Sequence, residues 1–180
     1  MFNEISKLAI VKQSRQGKVR DIYDLGETLL IVSTDRISAF DVIFPNPIPD
    51  KGKILNTLSV YFFQATSDIM PNHFISADIS EYPVDLQPFN KYLDGCSMLV
   101  KKTRVIPFEC IVRGYLSGSA WNEYKKSHTI GGMLITEEMQ ESQKFPHPLF
   151  TPSTKVESGH DENISYREFM SRMDESLAVY

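Results

Sequence analysis

Four stretches of this chain carry side chains in patterns that fit chemistry rather than packing. The first is Gly17-Lys18-Val19-Arg20-Asp21. A glycine ahead of a strand lets backbone come close to a phosphate. Lys18 and Arg20 lie two apart, so in a strand they share a face and can flank a polyphosphate. An exposed hairpin with solvated charges fits the same residues, and the spacing is neither a Walker A loop nor GxGxxG. The second stretch is Ser33-Thr34-Asp35-Arg36-Ile37-Ser38-Ala39-Phe40-Asp41, directly after an apolar run. Hydroxyls, carboxylates and an arginine packed at a strand end fit a binding loop. They fit equally a loop in which Asp35 and Asp41 cap turns and Arg36 pairs locally.

The third stretch runs from Glu109 to Trp121. Arg113 ends an apolar strand, and Gly114, Ser117, Gly118 and Ser119 lead into a helix. Free N–H groups at a helix start, a serine hydroxyl and a guanidinium make a phosphomonoester site. Plain capping by Ser117 or Ser119 is the competing reading. The fourth stretch, Phe150 to Ser165, is almost devoid of apolar residues and includes Lys155, Glu157, His160, Asp161, Glu162 and Asn163. Carboxylate and amide oxygens suit Mg²⁺ and its waters, and a solvated loop before a helix is the alternative. His73, His128 and His147 read as structural or surface residues. Cys110 reads as core in an apolar strand rather than as a nucleophile.

These residues need elements to position them. Lys18–Tyr23 and Thr28–Ser33 read as a hairpin around Leu25-Gly26-Glu27. Pro45, Pro47 and Pro49 force an extended loop. Ile54, Leu55, Leu58, Phe62, Ala65 and Ile69 recur every three or four residues, which predicts an amphipathic helix from about Lys53 to Met70. Pro83 and Pro88 predict mostly loop between Glu81 and Gly95. Met98–Arg104 and Phe108–Tyr115 are expected strands, and a short helix should run to Lys126. Gly131-Gly132 marks a turn. Ser165 and Glu168 fit a capping box ahead of a final helix lined by Phe169, Met173 and Leu177. Early strands with helices mixed in give an α+β class, with a lobe boundary near Lys101 to Pro107.

Composition bounds the function. The 180 residues are 42% hydrophobic and 23% charged, which excludes a disordered chain. Nineteen basic against 23 acidic residues give a net charge of −4, and only one patch, Lys101-Lys102-Arg104, clusters basic residues. Nucleic acid is therefore not the expected partner. Cys96 and Cys110 make neither a disulfide framework nor a CxxC zinc site. The first fifteen residues carry Glu4, Lys7, Lys12 and Arg15 and do not read as a signal peptide. The longest apolar runs are too short to cross a membrane. A protein-kinase mechanism is disfavoured, because the sequence has neither an HRD-type loop nor a DFG segment.

Read in order, GKVRDIYDLG, STDRISAFDVIFPNPIPDKGKILN, VIPFECIVRGYLSGSAWNEY and PLFTPSTKVESGHDENIS resemble the SAICAR synthetase family, over roughly Gly17 to Ser165. The resemblance implies two α+β lobes with ATP between them. Residues 1–104 would form an antiparallel-sheet lobe, and 105–180 the beginning of an ATP-grasp- or kinase-like lobe. It implies a cytoplasmic ligase that joins L-aspartate to the carboxylate of CAIR, an aminoimidazole ribotide. The products are SAICAR, ADP and phosphate, the cofactors ATP and Mg²⁺. Carried over residue by residue, Gly17, Lys18, Val19, Arg20, Lys101 and Glu109 would bind ATP. Asp35, Arg36, Ser38, Arg113, Ser117, Gly118 and Ser119 would bind substrate. Lys155, Asp161 and Glu162 would serve catalysis, with Asp161 also on the metal. Family members continue into a later acidic segment with metal ligands, which this sequence does not contain. The expectation is a partial chain with incomplete Mg²⁺ coordination.

Overall fold

A computed structural model describes residues 11, 13–40, 42–155 and 162–173. The chain divides into two compact units, Met1–Arg104 and Val105–Tyr180.

The first unit is built on a five-stranded antiparallel sheet. Its strands are β1 (Gln13–Gln16), β2 (Arg20–Asp24), β3 (Thr28–Ser33), β6 (Phe74–Ser76) and β7 (Ser97–Lys101), in the order β1-β2-β3-β7-β6. The expected hairpin is present, with Arg20 opposite Ser33 and Asp24 opposite Leu29. Its turn closes through Leu25 N to Thr28 O, and Gly26 takes φ 101°, a value that suits glycine. Two short strands, β4 (Ser38–Ala39) and β5 (Val42–Ile43), form a separate hairpin.

Helix α1 (Lys51–Ala65) then lies along β3 and β7. The apolar stripe that predicts this helix does not face the sheet. Leu58 and Phe62 are 48% and 59% exposed, and the buried residues are Gly52 and Asn56. The reason is close approach. A Cβ on Gly52 would sit 2.5 Å from Ser33 O, so only glycine allows the helix start to reach the strand. One turn later, Asn56 Nδ2 donates to Gly95 O (3.1 Å) and Ser97 O (3.0 Å).

The stretch from Ile79 to Leu93 is helical rather than loop. It holds 3₁₀ turns at Ile79–Glu81 and Val84–Phe89, then α2 (Asn90–Leu93). Pro83 takes the N-cap position of the second 3₁₀ turn, where a missing N–H costs nothing. Tyr82, Leu86 and Leu93 join Tyr23, Leu30, Val32 and Leu99 in the core. Tyr82 OH pairs with Ser97 Oγ at 3.1 Å, and burial pushes its pKa up to about 12.

The second unit pairs β8 (Phe108–Glu109) with β13 (Ser153–Thr154), and β9 (Val112–Tyr115) with β12 (Lys144–Phe150). Helix α3 (Ser119–Ser127) follows β9. The turn expected at Gly131-Gly132 joins β10 (Thr129–Ile130) to β11 (Met133–Leu134), with φ 56° and 76° at the glycines. Leu116, Ala120, Tyr124, Ile130, Met139 and Phe145 form the core. Helix α4 (Tyr166–Arg172) is capped by Ser165, whose side chain accepts from Glu168 N at 3.2 Å. Glu168 pairs with Arg172 at 2.5 Å, so the capping box is seen only from the serine side. Phe169 stands edge-on to Phe108 and Phe150, at 5.1 and 5.3 Å between centroids. Leu177, expected on the same face, lies outside the described residues. Among the described residues no helix is long and apolar enough to cross a membrane.

Candidate functional site

In the first unit the chemistry-bearing residues gather at the β1–β2 turn. Gly17 N donates to Arg20 O at 2.7 Å, and a Cβ on Gly17 would lie 2.9 Å from that oxygen. Lys18 and Val19 form the tip, so Lys18 sits outside the strand and Arg20 begins it. Both are exposed. Arg20 also edges an open groove of about 370 Å³ lined by Leu55, Leu58, Phe62 and Phe63 of α1.

The second motif wraps behind this turn. Arg36 Nη2 and Nη1 take both carboxylate oxygens of Asp21, at 2.6 and 3.2 Å. The same guanidinium donates to Gly17 O (3.0 Å) and Lys18 O (3.1 Å). Asp21 is 3% exposed, and a charge that buried needs a partner of this kind. Burial and the Asp21 charge together hold the Tyr23 phenol above its usual range. Asp35 accepts from Gly52 N (2.8 Å) and Asp50 N (3.2 Å). It caps the start of α1 from across the chain, since Asp50 itself makes no side-chain cap. Of the expected substrate contacts in this motif, the charged groups of Asp35 and Arg36 are thus committed to the protein's own backbone and to Asp21. Ser38 lies on β4, half-buried. Lys101 ends β7, exposed, with its N–H on His73 O at 2.8 Å.

In the second unit Arg113 and Ser119 come together as expected. Arg113 Nη2 donates to Ser119 Oγ at 2.9 Å, and Nε donates to Thr151 Oγ1 at 2.9 Å. Neither Ser117 nor Ser119 caps α3. The N-cap is Gly118 at φ 60°, and no side chain caps it. Ser117 N is turned to Tyr115 O at 3.0 Å. The helix therefore opens on uncapped N–H groups beside a guanidinium and a hydroxyl, an arrangement that receives an anion. Thr151, 3% exposed, joins this set without standing in any of the expected site positions. Its only sequence signal is a hydroxyl directly ahead of Pro152.

The fourth motif meets the third through backbone. Ser153 pairs with Glu109, and Lys155 N donates to Pro107 O at 3.0 Å. Lys155 Nζ lies 3.6 Å from Glu109 Oε1 at the surface. Glu162 exchanges bonds with Thr154 through N to Oγ1 (3.1 Å) and O from N (2.9 Å), its carboxylate exposed. Asp161 lies outside the described residues. Among the described residues no three His, Cys, Asp or Glu side chains gather as a metal site. Cys110 is exposed, not core: it falls between β8 and β9, where the run expected as one strand breaks in two.

The pattern of the SAICAR synthetase family matches residues 13–178. The chain belongs to that family. It is 53% identical over 169 residues to the phosphoribosylaminoimidazole-succinocarboxamide synthase of Syntrophobacter fumaroxidans, covering 93% of the chain and 56% of that protein. It is 55% identical over 181 residues to the same enzyme of Citrifermentans bemidjiense, covering 94% and 61%. The SAICAR-synthase of Saccharomyces cerevisiae, solved with SAICAR, superposes with a TM-score of 0.82 at 43% identity, covering 95% of this chain and 58% of that one. The chain therefore spans a little over half the length of the relatives it matches. The mixed antiparallel α+β fold is that of the family.

Proposed function

We propose that this chain carries the nucleotide- and ribotide-phosphate sites of a cytoplasmic ligase. The ligase joins L-aspartate to the carboxylate of CAIR and consumes ATP. The observation that carries the reading is Arg113, braced by Thr151 and paired with Ser119 at the uncapped start of α3. A dianionic phosphomonoester matches that donor set in charge and geometry.

Amide formation from a carboxylate in water is uphill. In the proposed reaction the CAIR carboxylate oxygen takes the γ-phosphoryl group, and ADP leaves. The aspartate nitrogen then bonds to the acyl carbon. The C–O bond to phosphate breaks, and the amine gives up a proton. Lys18 and Arg20 would hold the transferring phosphates, Arg113 and Ser119 the ribotide phosphate, and Lys155 the reacting carboxylates. Mg²⁺ would supply charge neutralisation at the phosphates. The described residues gather no acidic set of their own for it.

The aligned residues cover 56% of the relative's length, and a second reading fits that partial coverage: a nucleotide- and ribotide-binding module. ADP release by the 180-residue chain, dependent on both CAIR and aspartate, separates the two. Turnover establishes the ligase. Binding of ATP and SAICAR without turnover establishes the module. Binding of neither refutes both.

A further inference from the structure

The β1–β2 turn is held in shape by a segment that does not belong to it. Thr34 N and Oγ1 both donate to Val19 O, at 3.1 and 2.9 Å. Arg36 donates to Lys18 O at 3.1 Å and Gly17 O at 3.0 Å. Three consecutive carbonyls, Gly17 to Val19, are thus drawn to one side by two residues. In a planar trans peptide the next N–H points opposite to the carbonyl, and no described peptide bond is cis. The N–H groups of Lys18, Val19 and Arg20 are therefore all turned away from Thr34 and Arg36.

We propose that Thr34 and Arg36 are positioning residues: they hold the Gly17–Arg20 backbone with its amides presented to nucleotide phosphate and touch no substrate themselves. This rests on the reading of that turn as the phosphate site. Successive amides turned to one side form an anion-binding concavity. Fixing it before the ligand arrives removes an ordering cost from binding. The brace is itself anchored at both ends. Buried Asp21 grips the guanidinium at 2.6 Å, and Lys51 Nζ holds Arg36 O at 3.0 Å. Next door, Asp35 ties the same segment to the start of α1. An ammonium can satisfy the Asp21 charge, but it lacks the fork that spans two carbonyls at once.

The test uses the 180-residue chain with Arg36→Lys and Thr34→Val, since Arg36→Ala would strand the Asp21 charge and endanger folding. ADP and SAICAR are titrated calorimetrically, and ¹⁵N relaxation reports the order of the Lys18 and Val19 amides without ligand. Expected for Arg36→Lys are ADP affinity lower by about tenfold, unchanged SAICAR affinity, and lower amide order at the turn. Thr34→Val should move the same readouts in the same direction, by less. If Arg36→Lys leaves ADP affinity and amide order unchanged while Lys18→Ala weakens ADP, the brace is refuted and the phosphate site stands. Equal loss of ADP and SAICAR affinity would mark Arg36 as a general structural residue and overturn the proposal. If Lys18→Ala also leaves ADP binding intact, or the chain binds no ADP, the phosphate reading falls and the brace with it.

Discussion

Replacing Arg113 by alanine isolates the proposed phosphate anchor. Two of the five guanidinium N–H donors fix its plane, one on Thr151 and one on Ser119, both at 2.9 Å. The group is thus oriented before any ligand arrives, and little side-chain entropy remains to be lost on binding. Hydrogen bonds to a charged partner contribute about 1.5–3 kcal/mol, so affinity for SAICAR should fall about 10- to 150-fold. Folding should survive, because buried Thr151 Oγ1 keeps Ile111 O at 3.4 Å as a partner. The assay is a two-by-two cycle by calorimetry: wild type and Arg113→Ala, each against SAICAR and against its dephosphorylated riboside. The loss should appear with SAICAR and vanish with the riboside, while ADP affinity stays constant. If both ligands lose equally, Arg113 shapes the pocket without holding phosphate. If SAICAR binds both proteins alike, the anchor does not exist.

Two further predictions test the scaffold. Gly52→Ala should destabilise the first unit by about 1–3 kcal/mol, because the new Cβ meets only backbone, Ser33 O at 2.5 Å and Thr34 C at 3.1 Å. Gly114→Ala, with nothing within 4 Å, is the control and should stay within about 0.5 kcal/mol of wild type in urea unfolding. Equal midpoints for the two variants would refute the close approach of α1 to β3. His73 lies against Phe63 at 5.1 Å, and burial lowers its pKa. The unfolded chain then binds this proton more readily than the folded one, so the neutral ring's contribution to stability is present above about pH 6.5 and is lost as pH falls through the folded value. His73→Gln should flatten that part of the stability profile between about pH 7 and 5. An unchanged profile would show that the burial of His73 does not govern its titration.

What was legible in the sequence was local. Gly26, the glycine pair at 131–132 and Ser165 each mark a turn or a cap whose geometry is decided within four residues, and each stands where it was expected. The pairing of Arg113 with Ser119 spans six residues at a strand–helix junction and was also readable. Contacts spanning longer distances were not. Arg36 meets Asp21 and Gly17 fifteen and nineteen residues away, and Arg113 meets Thr151 thirty-eight away. Side-chain type shows that such groups want partners without naming them. The stretch from Ile79 to Leu93 misled because its prolines read as breakers, although a helix start tolerates Pro83 and Pro88 falls inside a short 3₁₀ turn that ends one residue later.

Helix α1 shows the same limit from the other side. Periodicity establishes that a helix has two unlike faces, and the rule that the apolar one is covered comes from averages over globular proteins. Here the covered face is set by distance. Only glycine and a short amide can sit where the helix start meets Ser33, Gly95 and Ser97. Once Gly52 and Asn56 take that side, helical geometry turns Leu55, Leu58 and Phe62 outward, into the wall of the groove edged by Arg20. The spacing of Gly52 and Asn56, one turn apart, was therefore the informative signal in this segment. The stripe beside it shapes the groove next to the β1–β2 turn, so a polar replacement at Leu58 should change that groove and leave the core of the first unit intact.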